Sequence, residues 1–91
     1  MSEQADAPSL IEYPCDFPIK IMGPRVEGFA QEIARVVQGF VPAFEAGSIE
    51  MRSSRTGRYL SLTCTVHVTS RAQLDDLYRA LSAHPMVRVV L

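Results

Sequence analysis

From Tyr59 to Thr69 the chain alternates without a break. Leu60, Leu62, Cys64, Val66 and Val68 are apolar, while Tyr59, Ser61, Thr63, Thr65, His67 and Thr69 are polar or amphipathic. Successive side chains of a strand point to opposite faces, so this predicts a long strand with one dry and one wet face. A second alternation runs from Asp16 to Met22, with Phe17, Ile19 and Ile21 opposed to Lys20 and Met22. Pro14 and Pro18 keep the approach to it extended. Ser48 to Ser54 alternates Ile49 and Met51 with Glu50 and Arg52, and Arg55-Thr56-Gly57-Arg58 then supplies the glycine of a tight turn into the long strand, a predicted hairpin. Val87, Val89 and Leu91 alternate with Arg88 and Val90 as a short final strand.

Two stretches change period. After Gly23-Pro24, Val26, Phe29, Ala30, Ile33, Val36, Val37 and Phe40 recur at steps of three and four, leaving Glu27, Glu32, Arg35 and Gln38 for solvent. Proline suits the first turn of a helix, so a helix is expected to follow Pro24 and to end near Gly39 and Pro42. Ser70-Arg71-Ala72-Gln73 has capping-box spacing, and Leu74, Leu77, Tyr78 and Leu81 form the stripe of a second helix that His84-Pro85 stops. The order β-α-β-β-α-β predicts an α+β fold: a ferredoxin-like sandwich of two split βαβ units. Its four-stranded antiparallel sheet would run in the order 4-1-3-2, with both helices on one face. Residues 1–10 read as a disordered tail and residues 11–91 as one domain. The uncovered sheet face would carry Lys20, Met22, Glu50, Arg52, Ser61, Thr63, Thr65, His67 and Arg88.

Composition narrows the function. In 91 residues, 47% are apolar and 21% charged, as in ordinary globular proteins. The formal net charge is −1 and the isoelectric point about 6.1, which gives no long-range field to gather nucleic acid or anionic membrane. No apolar run approaches the ~20 residues a membrane helix needs, and the N-terminus lacks the basic start and apolar centre of a signal peptide. Cys15 and Cys64 are not spaced as CxxC, and Cys64 falls on a dry strand face. The expected location is the cytoplasm.

No catalytic constellation is legible. Base stacking on a sheet needs aromatic rings on the exposed faces of strands one and three, and only Tyr59 is aromatic there. Cys64 and His67 are three apart on a strand and point to opposite faces, so no metal site and no cofactor are expected. An acylphosphatase-like reaction would draw on Arg25, but the chain contains no asparagine to hold the water. His67 and His84 lie far apart in the predicted layout, and no Ser-His-Asp or paired-carboxylate set appears. The loop Met22-Gly23-Pro24-Arg25 is the main small-molecule candidate, because a helix N-terminus beside an arginine suits an acidic metabolite. Arg52, Arg55 and Arg58 gather at the hairpin tip, where they either grip carboxylates or phosphates or are simply solvated.

Three stretches together resemble a known family. They are Ile11-Glu12-Tyr13-Pro14-Cys15-Asp16-Phe17-Pro18-Ile19-Lys20-Ile21-Met22-Gly23, then Ser53-Ser54-Arg55-Thr56-Gly57-Arg58-Tyr59, and Leu77-Tyr78-Arg79-Ala80-Leu81 with Val87-Arg88-Val89-Val90-Leu91. In this order they are similar to the YbeD family, small bacterial cytosolic proteins often labelled putative lipoate regulators. The resemblance implies a ferredoxin-like domain similar to the ACT regulatory module and carries over no catalytic residue. Lys20, Gly23, Ser53, Ser54, Gly57, Tyr59 and Arg88 fall at its family-like positions. Lys20 and Arg88 are expected side by side on the wet face, where two cations repel unless something anionic meets them. The leading expectation is a non-enzymatic regulatory or adaptor domain acting in trans on a protein partner through Lys20, Thr63, Thr65, His67 and Arg88. The alternative is a sensor of an acidic metabolite at Gly23 to Arg25, working as a homodimer. Neither nucleic acid nor membrane is expected as a partner.

Overall fold

The computed structural model describes residues 12–91, so the tail expected over residues 1–10 lies outside the described residues. The elements are β1 (Cys15–Pro24), α1 (Phe29–Phe40), β2 (Glu50–Ser53), β3 (Tyr59–Val68), α2 (Arg71–Ala83) and β4 (Val89–Val90), with a short 3-10 turn at Ala46–Ser48. They form one antiparallel sheet in the order β2-β3-β1-β4, which is the predicted 4-1-3-2 order read from the other edge.

β1 and β3 form the spine. They pair over their full lengths, from Cys15 opposite Val68 to Pro24 opposite Tyr59. This register puts Ile19, Ile21, Leu62, Cys64, Val66 and Val68 on one face, all fully buried. The helices close over it: α1 contributes Phe29, Ile33, Ala34 and Val37, and α2 contributes Leu74, Leu77 and Leu81. The three-and-four spacing of these residues keeps each apolar stripe on one side of its helix. Full burial of each large side chain stabilises by roughly 1.5–3 kcal/mol before entropy is charged against it. Burial also pushes the Cys64 thiol up to about 11. At neutral pH it stays a thiol and packs as a small hydrophobe.

Four expectations need correction. Gly23-Pro24 does not end β1 at Met22. The strand continues through Pro24, and α1 begins only at Phe29, after Gly28 in a left-handed conformation (φ 92°). Val26, assigned to the helical stripe, is 49% exposed in the intervening loop. The predicted strand two shrinks to Glu50–Ser53. Met51 faces the helix side with its partner Leu62 yet is 61% exposed, because β2 overhangs the helices. In β4 the faces are largely inverted: Val90, opposite Ile21, packs against the core, while Val89 and Leu91 are exposed.

The cap of α2 forms with one change. Ser70 Oγ accepts from Gln73 N at 3.1 Å, but the Gln73 side chain reaches back to Thr69 N (2.7 Å) rather than to Ser70. Its Nε2 donates to Phe40 O at 2.8 Å, tying the start of α2 to the end of α1.

Candidate functional site

None of the described helices covers the other face of the sheet, and its side chains follow from the register. One cross-strand row is Leu91, Lys20, Thr63 and Glu50; the next is Val89, Met22, Ser61 and Arg52. Lys20, Glu50, Arg52, Ser61 and Thr63, joined at the edge by Met51, line a shallow depression of about 250 Å³. Of the residues expected to form a site, Lys20 and Thr63 are therefore brought together as direct partners. Thr65 and His67 lie further along β3. His67 Nδ1 is 2.9 Å from Asp16 Oδ1 on β1, its cross-strand partner.

Arg88 arrives by a route the sequence pattern did not suggest. Val89 is the residue opposite Met22, yet Arg88 N also donates to Met22 O at 2.8 Å. Two residues of the last segment thus oppose one residue of β1, which is a bulge, and bulges re-aim side chains at sheet edges. Arg88 and Val89 line one depression of about 250 Å³ with Met22 and Tyr59. On the other side of the same Met22 and Tyr59, Arg52, Ser53, Ser54 and Ser61 line a second of about 180 Å³. Lys20 and Arg88 share the open face but are not side by side, because Leu91 is the neighbour of Lys20.

The other two candidates, Gly23 and Arg25, do not make an anion site. Gly23 is buried within β1, where an added Cβ would lie 2.7 Å from Met86 O and collide with Phe29 Cζ. Its role is close packing. Arg25 N donates to Arg58 O (3.0 Å) and its Nε to Gly57 O (2.7 Å), so Arg25 braces the hairpin turn, where Gly57 takes a φ of 76°. With α1 starting at Phe29, Gly23 to Arg25 presents no helix N-terminus. The metabolite site expected there loses its physical basis.

Charge is segregated between the two faces. Each helix cation is paired with an acid of its own helix: Arg35 with Glu32 at 2.6 Å, Arg71 with Asp75 at 3.6 Å, and Arg79 with Asp76 at 3.0 Å. Lys20, Arg25, Arg52, Arg55, Arg58 and Arg88 have no carboxylate within 4.0 Å among the described residues. These six belong to the strands and the hairpin end, and the strands' own carboxylates are Asp16, held by His67, and Glu50. A formal net charge of −1 for the whole chain conceals this cationic end. Among the described residues no group of three or more His, Cys, Asp or Glu is placed to hold a metal ion. Among them, too, no helix is long and apolar enough to cross a membrane.

The helix side holds a different kind of device. His84, read as part of a helix stop, caps α2 and also links the helices: its Nδ1 accepts from Met86 N (3.1 Å), which leaves Nε2 to donate to Glu32 Oε1 (3.2 Å). Hydrogen bonds from Arg35 and then His84 hold the Glu32 carboxyl below its ordinary value of 4.5. A depressed carboxylate contributes stability that is present above its unfolded value and lost as pH falls through the folded one. Thermal denaturation scanned from pH 7 to pH 3 should therefore show a loss of stability in the acid limb, below about pH 4.5. That part of the loss should be absent in Glu32→Gln; an unchanged acid limb in the variant would show that the link carries no stability.

Comparison with known proteins places these features in context. A family model described as a protein of unknown function (DUF493) matches residues 8–91. A UPF0250 protein of Nitrosomonas europaea is 59% identical over 83 residues, covering 91% of this chain and 95% of that protein. A UPF0250 protein of Janthinobacterium is 58% identical over 91 residues, the whole of both chains. Among solved structures, protein HP0495 from H. pylori superposes with a TM-score of 0.78 at 15% identity, covering 100% of this chain and 94% of that one. The ACT domain from the GTP pyrophosphokinase of Chlorobium tepidum gives 0.56 at 20% identity, covering 85% and 97%. At such identities the two structures speak to the fold alone, which is ferredoxin-like and ACT-like.

Proposed function

The chain belongs to the DUF493 family, the YbeD-like UPF0250 proteins, and from that premise we propose that it is a non-enzymatic regulatory domain that acts in the cytoplasm on a protein partner. The open sheet face is the surface that docks. The observation that carries this reading is the contrast in pairing: the helix cations are all matched by acids, while Lys20, Arg52 and Arg88 on the open face are matched by none among the described residues. Cations on one face that lack acids of their own give an incoming acidic surface a complementary field and set its register. The likeness to an ACT domain supports a regulatory role.

Affinity capture from the native host tests the proposal. The tagged protein is expected to retain a stoichiometric partner that Lys20→Ala/Arg88→Ala loses and the helix-face control Arg71→Ala/Arg79→Ala keeps. A partner retained equally by both variants would remove the open face from consideration. Recovery of a lipoate-attaching or lipoate-synthesising protein would connect the domain to the metabolism that the family resemblance names.

A further inference from the structure

We infer that the Met22–Tyr59 saddle, with Arg52 on one side and Arg88 on the other, docks an extended acidic segment of a partner protein. The segment would carry two carboxylates four residues apart and an apolar side chain midway between them. This deepens the open-face reading above and rests on it.

The geometry sets each part of that description. Met22 and Tyr59 line both adjoining depressions, so they form a shared apolar floor. Tyr59 is 42% exposed and Val89 41%, so the aromatic and aliphatic surfaces that border Met22 are open to solvent. Arg52 lies in β2 and Arg88 in the bulge beside β4, at opposite ends of the four-strand row through Ser61 and Met22. Strands lie about 4.8 Å apart, so the two arginine backbones are separated by roughly 14 Å. An extended chain advances about 3.4 Å per residue, and residues i, i+2 and i+4 share one face. Carboxylates at i and i+4 therefore span the arginines, and the side chain at i+2 falls on Met22 and Tyr59.

The chemistry matches as well. Arginine binds carboxylates through paired N–H donors, and neither Arg52 nor Arg88 has a carboxylate within 4.0 Å among the described residues. Ser53, Ser54 and Ser61 add hydroxyls on the Arg52 side. Arg25, Arg55 and Arg58 stand at the neighbouring hairpin end and add to the attraction for an acidic chain.

The test is a titration of the full chain with a blocked seven-residue peptide, followed by NMR. Glutamates at the peptide's second and sixth positions flank a leucine at its fourth, and the rest are serines. Met22 and Tyr59 signals are expected to shift, and raising salt should weaken the complex. Arg52→Ala/Arg88→Ala, its fold checked by an unchanged spectrum elsewhere, should weaken binding roughly tenfold or more. Replacing both glutamates by glutamine, or placing them side by side, should do the same. Equal binding of these control peptides would overturn the proposal, and so would tighter binding of oligothymidylate at the same residues, which would make the saddle a single-strand nucleic-acid site. No peptide binding, with partner capture still lost in Lys20→Ala/Arg88→Ala, would refute the acidic-segment chemistry alone. Capture insensitive to every open-face exchange would refute the docking face itself.

Discussion

Replacing Gly23 by alanine is expected to destabilise the protein by about 3 kcal/mol, the upper part of the range for overpacking a tight core. The new methyl group would have to occupy a point 2.7 Å from the Met86 carbonyl oxygen and in collision with Phe29 Cζ. The ring can yield by turning, but the carbonyl belongs to the backbone that leads into β4, and the two obstacles must move together. For a domain of this size a loss of 1 kcal/mol lowers Tm by roughly 4–8 °C, so the drop should exceed about 10 °C. Thermal or urea denaturation checks it. A Tm within a few degrees of the parent would show that β4 and its bulge move aside freely. Because Arg88 reaches the open face through that bulge, the same substitution is also expected to weaken partner binding without touching the face itself.

Phe29→Ala is the second large effect, with an expected cost of about 4 kcal/mol. Phe29 is fully buried, opens the first turn of α1, and lies over the one glycine of β1. Truncation removes its transfer energy and leaves a void between α1 and β1. The two substitutions share a space, so they should not be additive: Gly23→Ala should cost less in the Phe29→Ala background than alone. Additive losses would mean that Met86 O, rather than the ring, is the obstacle that counts.

The β1–β3 spine was legible because both strands are buried on one face and wet on the other, and that alternation admits one register. The second helix was legible from Ser70 and the Leu74, Leu77, Leu81 stripe. The start of α1 was not, because Pro24 and Val26 satisfy the rules for a helix N-terminus locally, while pairing with Tyr59 keeps Pro24 in the strand. A proline at a strand's end costs little there. The last strand misled for a related reason. Val87, Val89, Val90 and Leu91 are all apolar, so period alone cannot choose a face, and the bulge at Arg88 shifts the phase by one residue.

The same limits shaped the view of the site. Lys20, Thr63, Thr65 and His67 were placed on the open face because they lie within the long alternations. Gly23 and Arg25 resemble a ligand loop in sequence because Pro24 and Val26 place the helix start too early. The Met22–Tyr59 saddle is not legible in the sequence, since it depends on Arg52 and Arg88 flanking it from opposite edges of the sheet. The nearest signal is the cluster of Arg52, Arg55 and Arg58, whose lack of acidic partners among the described residues becomes visible only beside the paired helix arginines.

The central claim is that partners dock on the open sheet face, and the methyl groups of the protein report on it directly. Met22 and Thr63 belong to that face, and Met86 to the turn after α2. With the captured partner added to protein carrying NMR-visible methyls, Met22 and Thr63 are expected to shift or broaden while Met86 and the buried helix residues Leu77 and Leu81 stay in place. Perturbation centred on Met86 or the helices, with Met22 and Thr63 unmoved, would contradict the account.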